Sequence, residues 1–115
     1  MLAVVWQFDV HRGRENDFER LHGADGEWTA LSRRSRSFLG SSFLRELATP
    51  GRYLLLEYWS EMFVYEKHLA DFSDEVEDLK ARRTDMVAAT MPLGIFDALG
   101  VPERFGPTWS VRDGW

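Results

Sequence analysis

Apolar residues fill every second position at the start of the chain: Leu2, Val4, Trp6, Phe8 and Val10, with Gln7 and Asp9 pointing the other way. A period of two turns one face of a strand toward a core, so residues 2–10 predict a β-strand. His11-Arg12-Gly13 ends it, with glycine supplying a flexible turn. The period then lengthens. Phe18, Leu21 and His22 stand at i, i+3 and i+4, the inner face of a helix from about Arg14 to Leu21. Gly23 and Gly26 break it, and Asp25 is placed to cap a second piece that carries Trp28 and Leu31 and ends near Arg34.

Phe38 to Leu47 predicts a second strand, weakened by Gly40 and two serines. Thr49-Pro50-Gly51 has turn composition, and Arg52 to Trp59, rich in Tyr and Leu, predicts a third strand that pairs antiparallel with the second. Ser60 is placed to cap a helix in which Met62, Tyr65 and Leu69 share a face. Ser73 is placed to cap another, with Asp74 and Glu75 in its favoured first turn, a buried stripe of Val76, Leu79 and Met86, and Lys80, Arg82 and Arg83 loading its second half. Met91 to about Leu99 predicts the fourth strand, Pro92 sitting near its start, where a missing donor does least harm. Residues 1–99 thus make one domain. Residues 100–115 form an irregular tail, whose Phe105, Trp109, Val111 and Trp115 predict docking onto the body or onto a second subunit.

Strand, helix, strand, strand, helix pair, strand is the split βαβ order. The expected fold is α+β and ferredoxin-like, a four-stranded antiparallel sheet with its helices on one face. The other face would lie bare, so a homodimer through the sheet, a dimeric α+β barrel, is expected.

Composition narrows the partners. Five Trp, eight Phe and three Tyr are many large rings for 115 residues, and they point to a pocket or an interface. A net charge of −5 argues against nucleic acid, which demands a basic footprint. Arg33-Arg34-Ser35-Arg36 is the exception and reads as a solvated helix end. With no Cys, thiolate metal sites and thiol nucleophiles are excluded. The N-terminus lacks the basic region of a signal peptide, and no run approaches the ~20 apolar residues of a membrane span, so the expectation is a cytoplasmic protein that does not enter membranes. Phosphate loops, Ser-His-Asp sets and metal-ligand spacings are missing, and no cofactor is expected.

The residues also fit a family. Phe8-Asp9-Val10-His11-Arg12-Gly13-Arg14-Glu15-Asn16-Asp17-Phe18 resembles the opening of antibiotic biosynthesis monooxygenase domains. Gly26-Glu27-Trp28-Thr29-Ala30-Leu31 and Ser37-Phe38-Leu39-Gly40 resemble their middle, and Arg52 to Trp59 followed by Tyr65 resembles their signature strand and helix start. The resemblance spans about residues 2–98, with the pieces in order. It implies a small-molecule enzyme akin to cofactor-independent monooxygenases, acting on a planar hydrophobic, polyketide- or quinol-like substrate. In the anthrone-oxidising members a Trp at the end of this strand and a Tyr six residues on line the pocket, places filled here by Trp59 and Tyr65. Those members carry an Asn four residues before the Trp; here that place is Leu55, which donates nothing. The haem-degrading members use an Asn on the first strand and a Trp on a later helix, where this chain has Trp6 and His68. Haem degradation does not carry over.

Alternation places Leu55, Glu57 and Trp59 on one face. A carboxylate in such company has a raised pKa and can serve as a general base, or it can be a structural partner for an Arg or a backbone donor. The expected catalytic residues are therefore Glu57, Tyr65 and Trp59, with Trp6, Phe8, Leu55 and His68 lining a site for a small hydrophobic or aromatic molecule. His11 and His22 read as surface or capping residues. The same fold also suits a non-catalytic binding module. Access to Glu57 and Tyr65 separates the two: a cavity with both polar tips inside favours catalysis, and a filled interior favours a module.

Overall fold

In a computed structural model, the protein is described over residues 1–100; the docking expected of the tail's aromatic residues lies outside them. Eight elements follow one another: β1 (Leu2–Val10), α1 (Glu15–His22), α2 (Glu27–Ser32), β2 (Phe38–Arg45), β3 (Arg52–Trp59), α3 (Met62–Asp71), α4 (Ser73–Thr84) and β4 (Val87–Asp97). The strands form one antiparallel sheet in the order β2-β3-β1-β4, the ferredoxin-like arrangement expected from the sequence. No helix among the described residues is long and apolar enough to cross a membrane.

Period-two patterning does the sorting. In β3, Tyr53, Leu55, Glu57 and Trp59 are buried on the helix side while their neighbours are partly exposed, and in β1 Leu2, Val4, Phe8 and Val10 are buried on the same side, with Ala3 buried as well. Leu55 faces Trp6 on β1 and Phe43 on β2, so three apolar side chains from three strands meet under the helices. Among the described residues nothing covers the opposite sheet face, and Leu44, Met91 and Phe96 are about half-exposed on it. The β2–β3 turn needs its glycine. Gly51 has φ +82°, and a Cβ there would lie 2.8 Å from the Val10 carbonyl oxygen.

Several local expectations are corrected. β2 stops at Arg45, and Leu47 is 96 % exposed in the turn. β4 starts at Val87, four residues before Met91, which places Pro92 inside the strand. Its missing N–H is tolerated because β4 is an edge strand and the register slips there: Val5 pairs with Gly94 and Trp6 with Pro92, leaving Leu93 bulged out. Asp25, Ser60 and Ser73 do not cap. The N-cap positions belong to Gly26, Glu61 and Phe72, none with a side-chain cap bond. The Ser60 amide instead donates to the Ser37 carbonyl, and α3 runs into α4 through Phe72 alone, which leaves no extended residue for Ser73 to occupy. Met62 is exposed, and the inner face of α3 is made by Tyr65 and His68. Met86 is buried but lies past the end of α4.

Candidate functional site

The seven residues expected to form a site come together on the helix side of the sheet. β1 supplies Trp6 and Phe8, β3 supplies Leu55, Glu57 and Trp59, and α3 supplies Tyr65 and His68. Phe8, Leu55 and Trp59 are essentially inaccessible, Glu57 is 2 % exposed, Tyr65 7 % and His68 5 %. The rings pack in a chain: Trp59 to Tyr65 at 5.2 Å between centroids, Trp59 to His68 at 4.9 Å, His68 to Phe72 at 5.1 Å. Side chains therefore fill the space between sheet and helices. A groove of about 530 Å³ does open between α2 and α4, but residues of those helices such as Glu27, Leu31, Asp74, Glu75 and Asp78 line it, and none of the seven does.

Glu57 is the chemical centre. Its Oε2 accepts from the Trp28 indole N–H at 2.8 Å and from the Ser32 hydroxyl at 3.2 Å. Trp28 and Ser32 are one turn apart on α2, the spacing that aims both at the same strand residue. Among the described residues Oε1 accepts no hydrogen bond, and the Tyr65 hydroxyl makes none to a side chain. Burial pushes the Glu57 pKa up, opposed by the donors Trp28, Trp59 and Ser32 and by the charge of Arg83. Trp59 acts there by proximity, because its indole N–H is enclosed and makes no hydrogen bond. Tyr65 is pushed up as well, by burial and then by the Glu57 charge. Among the described residues no carboxylate–arginine contact forms at Glu57; its partners there are an indole and a hydroxyl.

Three more ionisable groups complete the surroundings. Arg83 on α4 is 7 % exposed and lies over the faces of Phe8 at 4.8 Å and Trp28 at 4.9 Å. Desolvation brings its pKa down to about 10, with Glu57 acting the other way. His22 is not a surface or capping residue. It is 1 % exposed inside a box of Phe8, Phe18, Trp28 and Phe43, neither ring nitrogen is bonded, and burial followed by the Arg83 charge lowers its pKa to about 3. His68 is lowered by burial, and its Nδ1 is enclosed and unbonded. In the basic cluster after α2, Arg34 stacks on Phe72 at 4.5 Å rather than standing free. Among the described residues no three His, Asp or Glu side chains are grouped to hold a metal ion.

With this geometry the chain can be set beside known structures. No protein-family model and no curated protein matches the sequence. Solved structures do. SnoaB, a cofactor-independent oxygenase from Streptomyces nogalater, superposes with a TM-score of 0.61 at 21 % identity over 89 % of this chain and 96 % of its own. A Bordetella bronchiseptica protein provisionally named an antibiotic biosynthesis monooxygenase gives 0.67 at 20 % identity, covering 84 % of this chain and 94 % of that one. A Deinococcus radiodurans protein with the same provisional name gives 0.65 at 17 %, covering 92 % and all of that chain. The fold is that of the antibiotic biosynthesis monooxygenases. At these identities the likeness is one of fold.

On this fold the carboxylate and the aromatic wall are legible in the sequence, but what holds them is less so. Trp28 and Ser32 bind Glu57, and the only sequence signal for it is their spacing of four on one helix. Arg83, read with Lys80 and Arg82 as loading the second half of its helix, turns inward. Its spacing from Val76 and Leu79, i+7 and i+4, is that of the buried stripe and was the signal for this.

Proposed function

We propose that the protein is a small-molecule enzyme in which Glu57 takes a proton from a planar, hydrophobic, weakly acidic substrate of the polyketide or quinol kind. One observation carries this reading: a buried carboxylate with raised pKa whose Oε2 is held by two donors and whose Oε1 accepts from none of the described residues. The fixed oxygen sets the orientation and the other is available to accept the proton, the arrangement a general base needs. The Trp59 indole N–H, which is unbonded, and the Tyr65 hydroxyl beside it are the donors nearby for a substrate oxygen. Once deprotonated, an anthrone-like carbanion can react with dioxygen: the CH2 becomes C=O, and one oxygen atom leaves as water with the two hydrogens. The fold shared with SnoaB, a cofactor-independent oxygenase, supports this outcome. Return of the proton at another carbon would instead make the enzyme an isomerase or cyclase.

The working unit is a homodimer joined through the open sheet face, where Leu44, Met91 and Phe96 are half-exposed. Such a patch favours a self-complementary partner over water. At 13.4 kDa per chain, sedimentation should report about 27 kDa, twice that mass.

The closed packing around Trp59 and Tyr65 favours a second reading, a non-catalytic binding module on the same dimeric fold. Oxygen uptake and product formation over a panel of anthrones, quinols and lactones separate the two. Under the enzyme reading Glu57→Gln loses turnover by about 10²–10⁴-fold, the usual worth of a general base. If Glu57→Gln and Tyr65→Phe both turn a found substrate over at the wild-type rate, the site assignment is wrong. Binding without turnover across the panel supports the module.

A further inference from the structure

Both donors to Glu57 stand on α2, a helix of only six residues whose N-cap, Gly26, makes no side-chain cap bond. A helix of so few turns does not hold its own place in water, so contacts with its neighbours must fix it. On the α1 side the Thr29 hydroxyl donates to the carbonyls of His22 and Gly23 at 3.3 and 2.8 Å. On the α4 side two consecutive residues meet two consecutive residues. Outside, the Arg82 guanidinium donates through Nη1 and Nη2 to the two carboxylate oxygens of Glu27 at 2.9 and 2.7 Å. Inside, Arg83 lies over the Trp28 ring at 4.9 Å, and the Trp28 N–H continues to Glu57. Past the other end of α2, Arg34 stacks on Phe72, the N-cap of α4, at 4.5 Å. Exposed ion pairs contribute little to stability, but a two-bond guanidinium–carboxylate fork fixes direction as well as distance. This fork sits one residue from the indole that holds the base.

We propose that Glu27 and Arg82 are positioning residues for the base: their fork on the surface sets the place of α2 on α4 at which the Trp28 N–H meets Glu57 Oε2. The role rests on the reading of Glu57 as proton acceptor and extends it to two surface residues that touch neither Glu57 nor the aromatic wall. The charged and titratable groups that face Glu57 are Arg83 from α4 and Tyr65 from α3, and neither is altered by a change at Glu27 or Arg82. Positioning and plain electrostatics predict different signs. Removing the Glu27 charge acts through space to favour the Glu57 anion, whereas removing the Arg82 charge disfavours it. Loosening the indole disfavours the anion in both cases, because the Trp28 hydrogen bond supports the ionised carboxylate.

The Glu57 carboxyl, followed by carbon-13 NMR titration in the full chain, reports the outcome without a ligand. Glu27→Gln and Arg82→Gln should each raise its midpoint by about half a unit, a threefold loss for the anion, and the double variant should shift it no further than either alone. In a Trp28→Phe background Glu27→Gln should leave the midpoint where it stands, since the indole that transmits the effect is gone. Midpoints equal to the wild type in both single variants would overturn the positioning role, even if both proteins melt earlier. So would opposite shifts, down in Glu27→Gln and up in Arg82→Gln, which are the mark of charge acting through space. A shift from Glu27→Gln that persists in Trp28→Phe excludes the indole as the link and overturns the role equally. These failures leave the reading of Glu57 intact, because that reading falls on a different result, a wild-type midpoint at or below 4.5. Should the Trp28→Phe background fail to fold, the signs in the two single variants decide alone.

Discussion

Trp28→Phe removes the indole N–H from the site and leaves a smaller aromatic ring in its place. The indole N–H donates to Glu57 Oε2 at 2.8 Å in a buried setting, so its loss is felt by the carboxylate first. A hydrogen bond to a charged group contributes about 1.5–3 kcal/mol and one to a neutral group about 0.5–1.5 kcal/mol. The penalty of Trp28→Phe should therefore be larger when Glu57 is ionised than when it is protonated, by about 1–1.5 kcal/mol. One pKa unit corresponds to about 1.4 kcal/mol, so the same change should raise the Glu57 pKa by about one further unit. The sign follows from Trp28 lowering the Glu57 pKa in the folded protein. A carboxyl whose folded pKa is raised is most stabilising when protonated, and that advantage is lost as pH rises through the folded value. Packing lost with the smaller ring costs the same at every pH and cancels from the difference. Denaturant unfolding of wild type and variant at pH 4 and pH 8 reads it directly. At about 4–8 °C per kcal/mol for a domain of this size, it also appears as a melting-temperature gap wider by several degrees at pH 8. An equal penalty at both pH values would refute the idea that Trp28 stabilises the ionised form of Glu57.

Other changes test neighbouring parts of the structure. His22→Phe removes two enclosed, unbonded nitrogens from an aromatic box and should leave stability unchanged or raise it by about 1–3 kcal/mol in a thermal melt. Because the folded pKa of His22 is depressed to about 3, wild type loses stability as pH falls from about 6.5 toward 3, and the variant's advantage should grow over that range. Gly51→Ala should cost about 1–3 kcal/mol, since φ of +82° and a 2.8 Å approach to the Val10 carbonyl both oppose a Cβ; a neutral effect would mean the turn rebuilds freely. Phe96→Arg on the open sheet face should convert the proposed dimer to a monomer in sedimentation, with an unchanged far-ultraviolet spectrum.

What the sequence disclosed depended on how local each feature is. β1 and β3 sit at the middle of the sheet, and their alternation is written directly in Leu2 to Val10 and Arg52 to Trp59; Glu57 stands out because it interrupts that alternation. β4 is harder. As an edge strand it keeps side chains exposed on both faces, so its first residues, Val87 to Thr90, show no clean period, and Pro92 looks like a beginning because the bulge that accommodates it depends on pairing with β1. The caps fail for a related reason: Ser60 and Ser73 have the right chemistry, but their backbones are committed to a bond with Ser37 and to a near-continuous helix pair. Arg83 and His22 are polar residues at apolar-stripe positions. Residue type argues for the surface, spacing argues for the core, and spacing prevails. The link from Trp28 and Ser32 to Glu57 joins residues 29 and 25 positions apart in the chain, and only the packing of α2 on the sheet creates it.

The central claim is that Glu57 is a carboxyl poised to hold a proton. Carbon-13 NMR titration of the glutamate side-chain carboxyls, with Glu57 assigned by its absence from Glu57→Gln, measures this without a substrate. The midpoint should lie clearly above the ordinary value of 4.5 and rise further in Trp28→Phe. A midpoint at or below 4.5 would mean that the donors and Arg83 outweigh burial, leaving an anion fixed as a structural partner and no base.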